Sequence, residues 1–241
     1  MKKLLLILIC LPMIFSCGES DKTKKSEDRI PELENKIENK YEGSFIKLEV
    51  IGEADYSIDD FSFINQDNDT ITKDSLTGSI YVANFFFTSC PSICPIMTKN
   101  MSYLQDKLSV FPNIRFLSHT VDPENDTPDK LRSYVSLMRQ KKINIDLSNW
   151  DFVTGDKDKL YESAANYFVN ASVDSLAPGG FLHSEYFILI DKQGRVRSGI
   201  DKNGNIVGAY DGTNEVQMKD LVNDINVLMA EYKRPLKNDK D

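Results

Sequence analysis

The 241-residue sequence predicts an α/β sandwich of thioredoxin-like order, with a central mixed β-sheet flanked by helices. Three observations lead there. Ile80-Tyr-Val-Ala-Asn-Phe-Phe-Phe is a nearly continuous apolar run of strand length, the pattern of a central strand covered on both faces. Beyond it, Met97, Met101, Leu104 and Leu108 recur at helical spacing, and a second buried run follows from Ile114 to Val121. Strand and helix patterns then alternate until a strand-turn-strand and a last helix close the chain.

The elements follow in order from about Ile46. Leu48, Val50 and Ile51 predict a first strand, Phe61 to Asn65 alternates like a half-buried one, and Asn65-Gln-Asp-Asn-Asp has turn composition. After the first buried strand comes Thr88-Ser-Cys-Pro-Ser-Ile-Cys-Pro. A helix is expected to open there, with Ser89 or Cys90 at its N-cap and Pro91 in the first turn, where a missing N–H does no harm. Asp126-Thr-Pro-Asp opens the next helix, running to about Arg139 with Leu131, Tyr134, Val135 and Met138 on one face. Trp150 to Thr154 reads as a short strand and Lys157 to Phe168 as a third helix. Phe187 to Asp191, the turn Lys192-Gln-Gly and the segment from Val196 predict a hairpin. Glu215 to Tyr232 closes the domain with an apolar stripe of Leu221, Ile225, Leu228 and Tyr232.

The N-terminal stretch bears on the compartment. Met1-Lys-Lys is a short positive segment, and Leu4 to Phe15 is apolar but shorter than the roughly 20 residues that a bilayer span takes. It has the proportions of a signal peptide. Ile14-Phe-Ser-Cys17 resembles the lipobox of bacterial lipoproteins, in which the cysteine is diacylated and becomes the mature N-terminus; the alternative is an ordinary signal peptide. Cys10 would leave with the leader. Residues 18–45, rich in Lys, Glu, Asp, Ser and Asn, read as a charged flexible tether, and 46–236 as one domain. The expected place is the bacterial cell envelope, the chain held to the membrane through lipid and its domain in the periplasm or outside the cytoplasmic membrane. A net charge of −8 argues against a nucleic-acid partner.

Of four cysteines, the domain then holds Cys90 and Cys94. In an oxidising compartment such a pair is a disulfide, a redox dithiol or a metal site. A helix N-terminus favours thiolate, and thiolates are good nucleophiles and soft-metal ligands. Helical positions four apart put Cβ atoms about 5–6 Å from each other, whereas a relaxed disulfide wants roughly 3.5–4.5 Å. So small a loop also brings only roughly 2 kcal/mol of chain-entropy stabilisation, which makes a poor staple.

There are two histidines. His183 follows the Ala177-Pro-Gly-Gly loop and precedes the strand at Tyr186. In a thioredoxin-like order that loop faces the first turn of the cysteine helix, where an imidazole can join two thiolates. Two sulfurs and one nitrogen suit Cu(I), whereas zinc wants a closed tetrahedral set. His119 stands near the end of its strand and reads as a partly buried strand-end histidine, with an approach to the site left open.

Phe87-Thr-Ser-Cys-Pro-Ser-Ile-Cys-Pro, Val121-Asp-Pro-Glu-Asn-Asp-Thr-Pro, Trp150-Asp-Phe-Val-Thr-Gly and His183 before a strand-turn-strand together resemble the Sco/SenC family, over nearly the whole domain. The resemblance implies a thioredoxin-fold copper chaperone or thiol reductase that helps assemble the binuclear copper centre of cytochrome c oxidase subunit II or a similar cuproprotein. It implies Cys90, Cys94 and His183 as ligands of Cu(I) or Cu(II), Asp122 as a nearby carboxylate, and a thiol reductant as a second partner. His119 departs from the family pattern, which usually shows a small or apolar residue there. Two competing readings remain. A thiol-disulfide oxidoreductase needs the cysteines but not His183. A peroxidase of the peroxiredoxin type is disfavoured because Ala83 and Phe87 stand at that family's proline and threonine positions.

Overall fold

A computed structural model of the chain describes residues 48–53, 55–174, 180–201 and 203–233. The leader, Cys17 and the tether lie outside the described residues. The central strands are β4 (Ile80–Phe86), β5 (Ile114–Thr120) and β6 (Trp150–Thr154), all parallel to their neighbours in this set. Every residue of β4 is buried, as its apolar run predicts for a strand covered on both sides. β9 (Tyr186–Ile190) and β10 (Val196–Ser198) add to one edge as an antiparallel hairpin, with β1 (Glu49–Val50) outside it. β2 (Ser62–Asn65) and β3 (Thr70–Thr72) extend the other edge. The order is β1-β10-β9-β4-β5-β6-β2-β3, and β11 (Tyr210–Asp211) pairs with the start of β9. This is the mixed sheet expected, flanked by helices.

The helices are a single turn α1 (Lys73–Leu76), then α2 (Cys94–Lys107), α3 (Pro128–Gln140), α4 (Lys157–Asn166) and α5 (Glu215–Lys233). On one face of the sheet, Tyr134 of α3 packs on Phe86 and Phe152, with ring centroids 5.3 and 6.1 Å apart. On the other face, Tyr81 and Phe85 meet Tyr167, which follows α4. Burying each such large side chain contributes about 1.5–3 kcal/mol.

The structure corrects one boundary that matters. α2 begins at Cys94 with Ile93 as its N-cap, three or four residues later than expected. Starting it at Cys90 would place Pro95 beyond the first turn, where it lacks the N–H for the bond to residue 91 and its ring strikes that carbonyl. Cys90 therefore lies outside the helix. The two cysteines are not neighbours on one helical face, and the spacing argument against bonding between them does not apply. A further difference is a separate two-stranded sheet, β7 (Ala171–Val173) with β8 (Phe181–His183), where the sequence read only a loop.

A buried charge network ties β1, β10 and α5 together. Arg197, 2% exposed, donates to Asp191 at 3.0 Å, to Glu231 at 2.6 Å and to the Leu48 carbonyl at 2.9 Å. Burial alone would raise the Asp191 pKa, but the bonds from the backbone and side chain of Arg195 and from Arg197 outweigh it and hold the carboxylate below its usual value. Removing one member of such a network strands the others without a counter-charge. Arg197→Met is expected to cost about 3–5 kcal/mol in urea unfolding followed by circular dichroism.

Candidate metal and thiol centre

Residue by residue, the site forms where β4 runs out. Phe87 is fully buried, the Cys90 N–H closes a turn onto the Phe87 carbonyl at 3.2 Å, and α2 starts at Cys94. Cys90 is 8% exposed and Cys94 is wholly buried; neither is in a disulfide. Cys94 sits at the first position of α2, where the helix dipole favours a thiolate. The opposite holds: the hydrogen bond to Cys90, followed by burial, drives the Cys94 thiol far above its ordinary range. Cys94 therefore holds its proton firmly, and Cys90 is the more accessible sulfur of the pair. The start of α2 is held in turn by Thr98, whose hydroxyl donates to the Cys94 carbonyl at 2.9 Å and accepts from Tyr134 at 2.6 Å.

Two aspartates of the loop after β5, Asp122 and Asp126, are buried. Asp122 is buried, which raises its pKa, and it accepts from Asn125 at 3.0 Å through both oxygens. Its charge acts on Lys157 and Tyr161. Asp126, which the sequence reading passed over, is the carboxylate whose charge is felt by Cys94 and Tyr134. The signal was available: Asp126 is the second aspartate of the Asp-Pro-x-x-Asp-Thr-Pro run.

The two histidines separate. Side chains alternate along β5: Ser118 and Thr120 point to the face carrying α3, and His119 to the other. Ser118 accepts from Trp150 and Thr120 donates to Asp126, whereas His119 stacks on Phe85 at 4.8 Å and meets Phe63 edge-on at 5.7 Å. The approach of His119 to the cysteines is thereby ruled out, because the sheet lies between them. His183, expected in a loop, ends strand β8, paired with Ala171. Its backbone is fixed from both sides. Phe181 packs against Phe87 with centroids 5.3 Å apart, while the Glu185 carbonyl accepts from Gly212, whose own carbonyl accepts from Asn100 of α2. The His183 side chain lies outside the description. Among the described residues no third His, Cys, Asp or Glu completes a metal-ligating group around the two sulfurs.

A family model described as SCO1/SenC matches residues 51–216. The chain belongs to the SCO1/SenC family. Relatives of this SCO1/SenC protein include the SCO1 protein homolog of Bacillus subtilis, 30% identical over 172 residues, 70% of this chain and 81% of that protein. A solved structure of BsSco, described as a member of the Sco family of cytochrome c oxidase assembly proteins with a disulfide switch, is 29% identical, with a TM-score of 0.59 over 75% of this chain and 97% of that one. A SCO1/SenC family lipoprotein from Bacillus anthracis is 26% identical, with a TM-score of 0.61 over 75% of this chain and 99% of that one. Arabidopsis thaliana ScoI, solved with copper bound, shares the fold at 23% identity, with a TM-score of 0.53 over 69% of this chain and 96% of that one.

His119 has a measurable consequence. Burial lowers its pKa to about 3, only partly offset by the Asn84 backbone, so the ring is neutral when folded and becomes protonated below its usual 6.5 when unfolded. The unfolded state then binds more protons between those values, and stability falls as pH drops through that window. From pH 7 to pH 5 the loss is about 2 kcal/mol. His119→Phe, which matches its aromatic surroundings, is expected to abolish this part of the pH dependence in unfolding titrations at the two pH values.

Proposed function

We propose that this SCO1/SenC protein is a membrane-anchored copper-binding protein that delivers copper to, or prepares, the binuclear copper site of cytochrome c oxidase subunit II. The observation carrying the proposal is the adjoining pair Cys90 and Cys94, neither in a disulfide, where the turn after β4 enters α2, with the backbone of His183 tied to the same edge by the Phe181–Phe87 contact. Two soft donors suit copper, with His183 as the third ligand. Copper is cargo here. Its transfer is ligand exchange with the client, and a Cys90–Cys94 disulfide cannot take it up, so the pair must be reduced first. Asp122 is proposed to influence loading from outside the ligand set. The copper-bound Arabidopsis relative and the description of BsSco as an oxidase assembly protein support the reading.

A second reading is favoured by the unequal exposure of the pair, with Cys90 the accessible sulfur and Cys94 buried and holding its proton. A Cys90 thiolate can attack a disulfide between the client's cysteines, forming a mixed disulfide and releasing one client thiolate. Cys94 then gives up its proton and attacks Cys90, releasing the second client thiol and leaving the Cys90–Cys94 disulfide for a thiol reductant to reset. His183 separates the two readings, because thiol exchange does not need it.

Titration of the reduced domain with copper is expected to show one ion per chain, with Cys90→Ser, Cys94→Ser and His183→Ala each weakening binding strongly. Copper delivery requires oxidase assembly to fail in the His183→Ala strain as well as in the cysteine variants. Normal assembly in that strain alone would leave thiol exchange as the function. The lipobox-like Ile14-Phe-Ser-Cys17, together with a Bacillus anthracis lipoprotein among the relatives, supports an anchor on Cys17. Two acyl chains give stable membrane attachment. Cys17→Ala is therefore expected to lose lipid labelling and move the protein from the membrane to the soluble fraction.

A further inference from the structure

We propose that Asp126 is the positioning residue of the cysteine pair, acting through Thr88 to hold the Cys90 turn at dithiol separation from Cys94. Asp126 is 1% exposed and takes three hydrogen bonds on its carboxylate. The Thr88 N–H donates at 3.0 Å, the Thr88 hydroxyl at 2.5 Å, and the Thr120 hydroxyl at 2.5 Å. Its own N–H donates to the Asp122 carbonyl at 2.8 Å. Thr88 is two residues before Cys90, on the only stretch of chain between β4 and the turn. Thr120 ends β5, the parallel neighbour of β4. A carboxylate satisfied by this many donors is a fixed point, and here it joins the ends of two strands to the cysteine turn.

The geometry also says which cysteine must move. Cys94 is set by α2, with its carbonyl bonded to Thr98 and its side chain wholly buried. Its thiol hydrogen-bonds Cys90, whereas a disulfide brings the sulfurs to about 2.05 Å. Closing that gap falls to the Cys90 turn, which Thr88 and Asp126 restrain. Asp126 thus opposes oxidation of the pair and keeps it in the form that can bind a metal or attack a disulfide. The inference rests on Cys90 and Cys94 being the working pair, and it concerns the metal-free dithiol, so failure of copper delivery would leave it intact.

The test is equilibration of the metal-free protein in glutathione buffers. Cys90 and Cys94 lose two protons and two electrons as they form the disulfide, and one glutathione disulfide becomes two glutathiones. The fraction oxidised is read by thiol alkylation and mass. Asp126→Asn leaves one acceptor oxygen where the carboxylate has two, and sets an amide N–H₂ against a donor. Thr88→Val removes only the hydroxyl, and Thr88→Ser keeps it. Asp126→Asn and Thr88→Val are expected to shift the equilibrium about tenfold towards the disulfide, a change of about 30 mV. Thr88→Ser should stay within twofold of the wild type, and so should Arg197→Met, which destabilises the fold far from the turn. Wild-type equilibria in Asp126→Asn and Thr88→Val, a shift towards dithiol, or an equal shift in Thr88→Ser or Arg197→Met would overturn the proposal. If Asp126→Asn does not fold, Thr88→Val against Thr88→Ser carries the test.

Discussion

The parallel pairing of β4 with β5, from Ile80–Ile114 to Phe86–Thr120, is the constraint on which the rest depends. Parallel neighbours end on the same edge of a sheet, and the crevice beyond their carboxyl ends is where α/β folds place their chemistry. Here β4 delivers Phe87, Thr88 and the cysteine turn to that edge, and β5 delivers Thr120 and the loop carrying Asp122 and Asp126. The apolar run of β4 is what makes this register firm. Buried on both faces, it cannot slip by one residue without exchanging Phe85 for Phe86 between two differently shaped layers.

The same register sorts the polar groups. The face that carries α3 takes Asn84, Ser118, Thr120 and the indole N–H of Trp150, and leads to Asp126 and the cysteines. The opposite face is aromatic, and the one imidazole it holds, His119, is forced to be neutral. A charged ring there would need a partner that Phe63, Phe85 and Tyr167 do not supply.

Charge is handled in two ways at the two ends of the sheet. At the outer edge, Asp191 and Glu231 are balanced by Arg195 and Arg197, and the network fastens β1 and β10 to α5. At the cysteine edge, Asp126 has hydroxyl and amide donors instead of a cation. The proton on Cys94 is held chiefly by its hydrogen bond to Cys90 and by burial, with the Asp126 charge a lesser contribution.

By itself the sequence determined the mixed sheet, the succession of its central strands along the chain and the candidate donors Cys90, Cys94 and His183, because apolar runs, helical spacing and rare residues are local signals. The start of α2 was partly legible, since Pro95 excludes a start as early as Cys90, but the pull of Pro91 as a first-turn residue pointed elsewhere. Only the tertiary structure decided which carboxylate bears on the cysteines, on which side of the sheet His119 lies, and that the chain before His183 folds back as β7 and β8 to rest on Phe87. Asp122 and Asp126 have the same chemistry four residues apart, and nothing local tells which one the turn after β5 aims at Thr88. That direction is set by the register of β5 against β4, a long-range pairing that side-chain pattern along one segment does not encode.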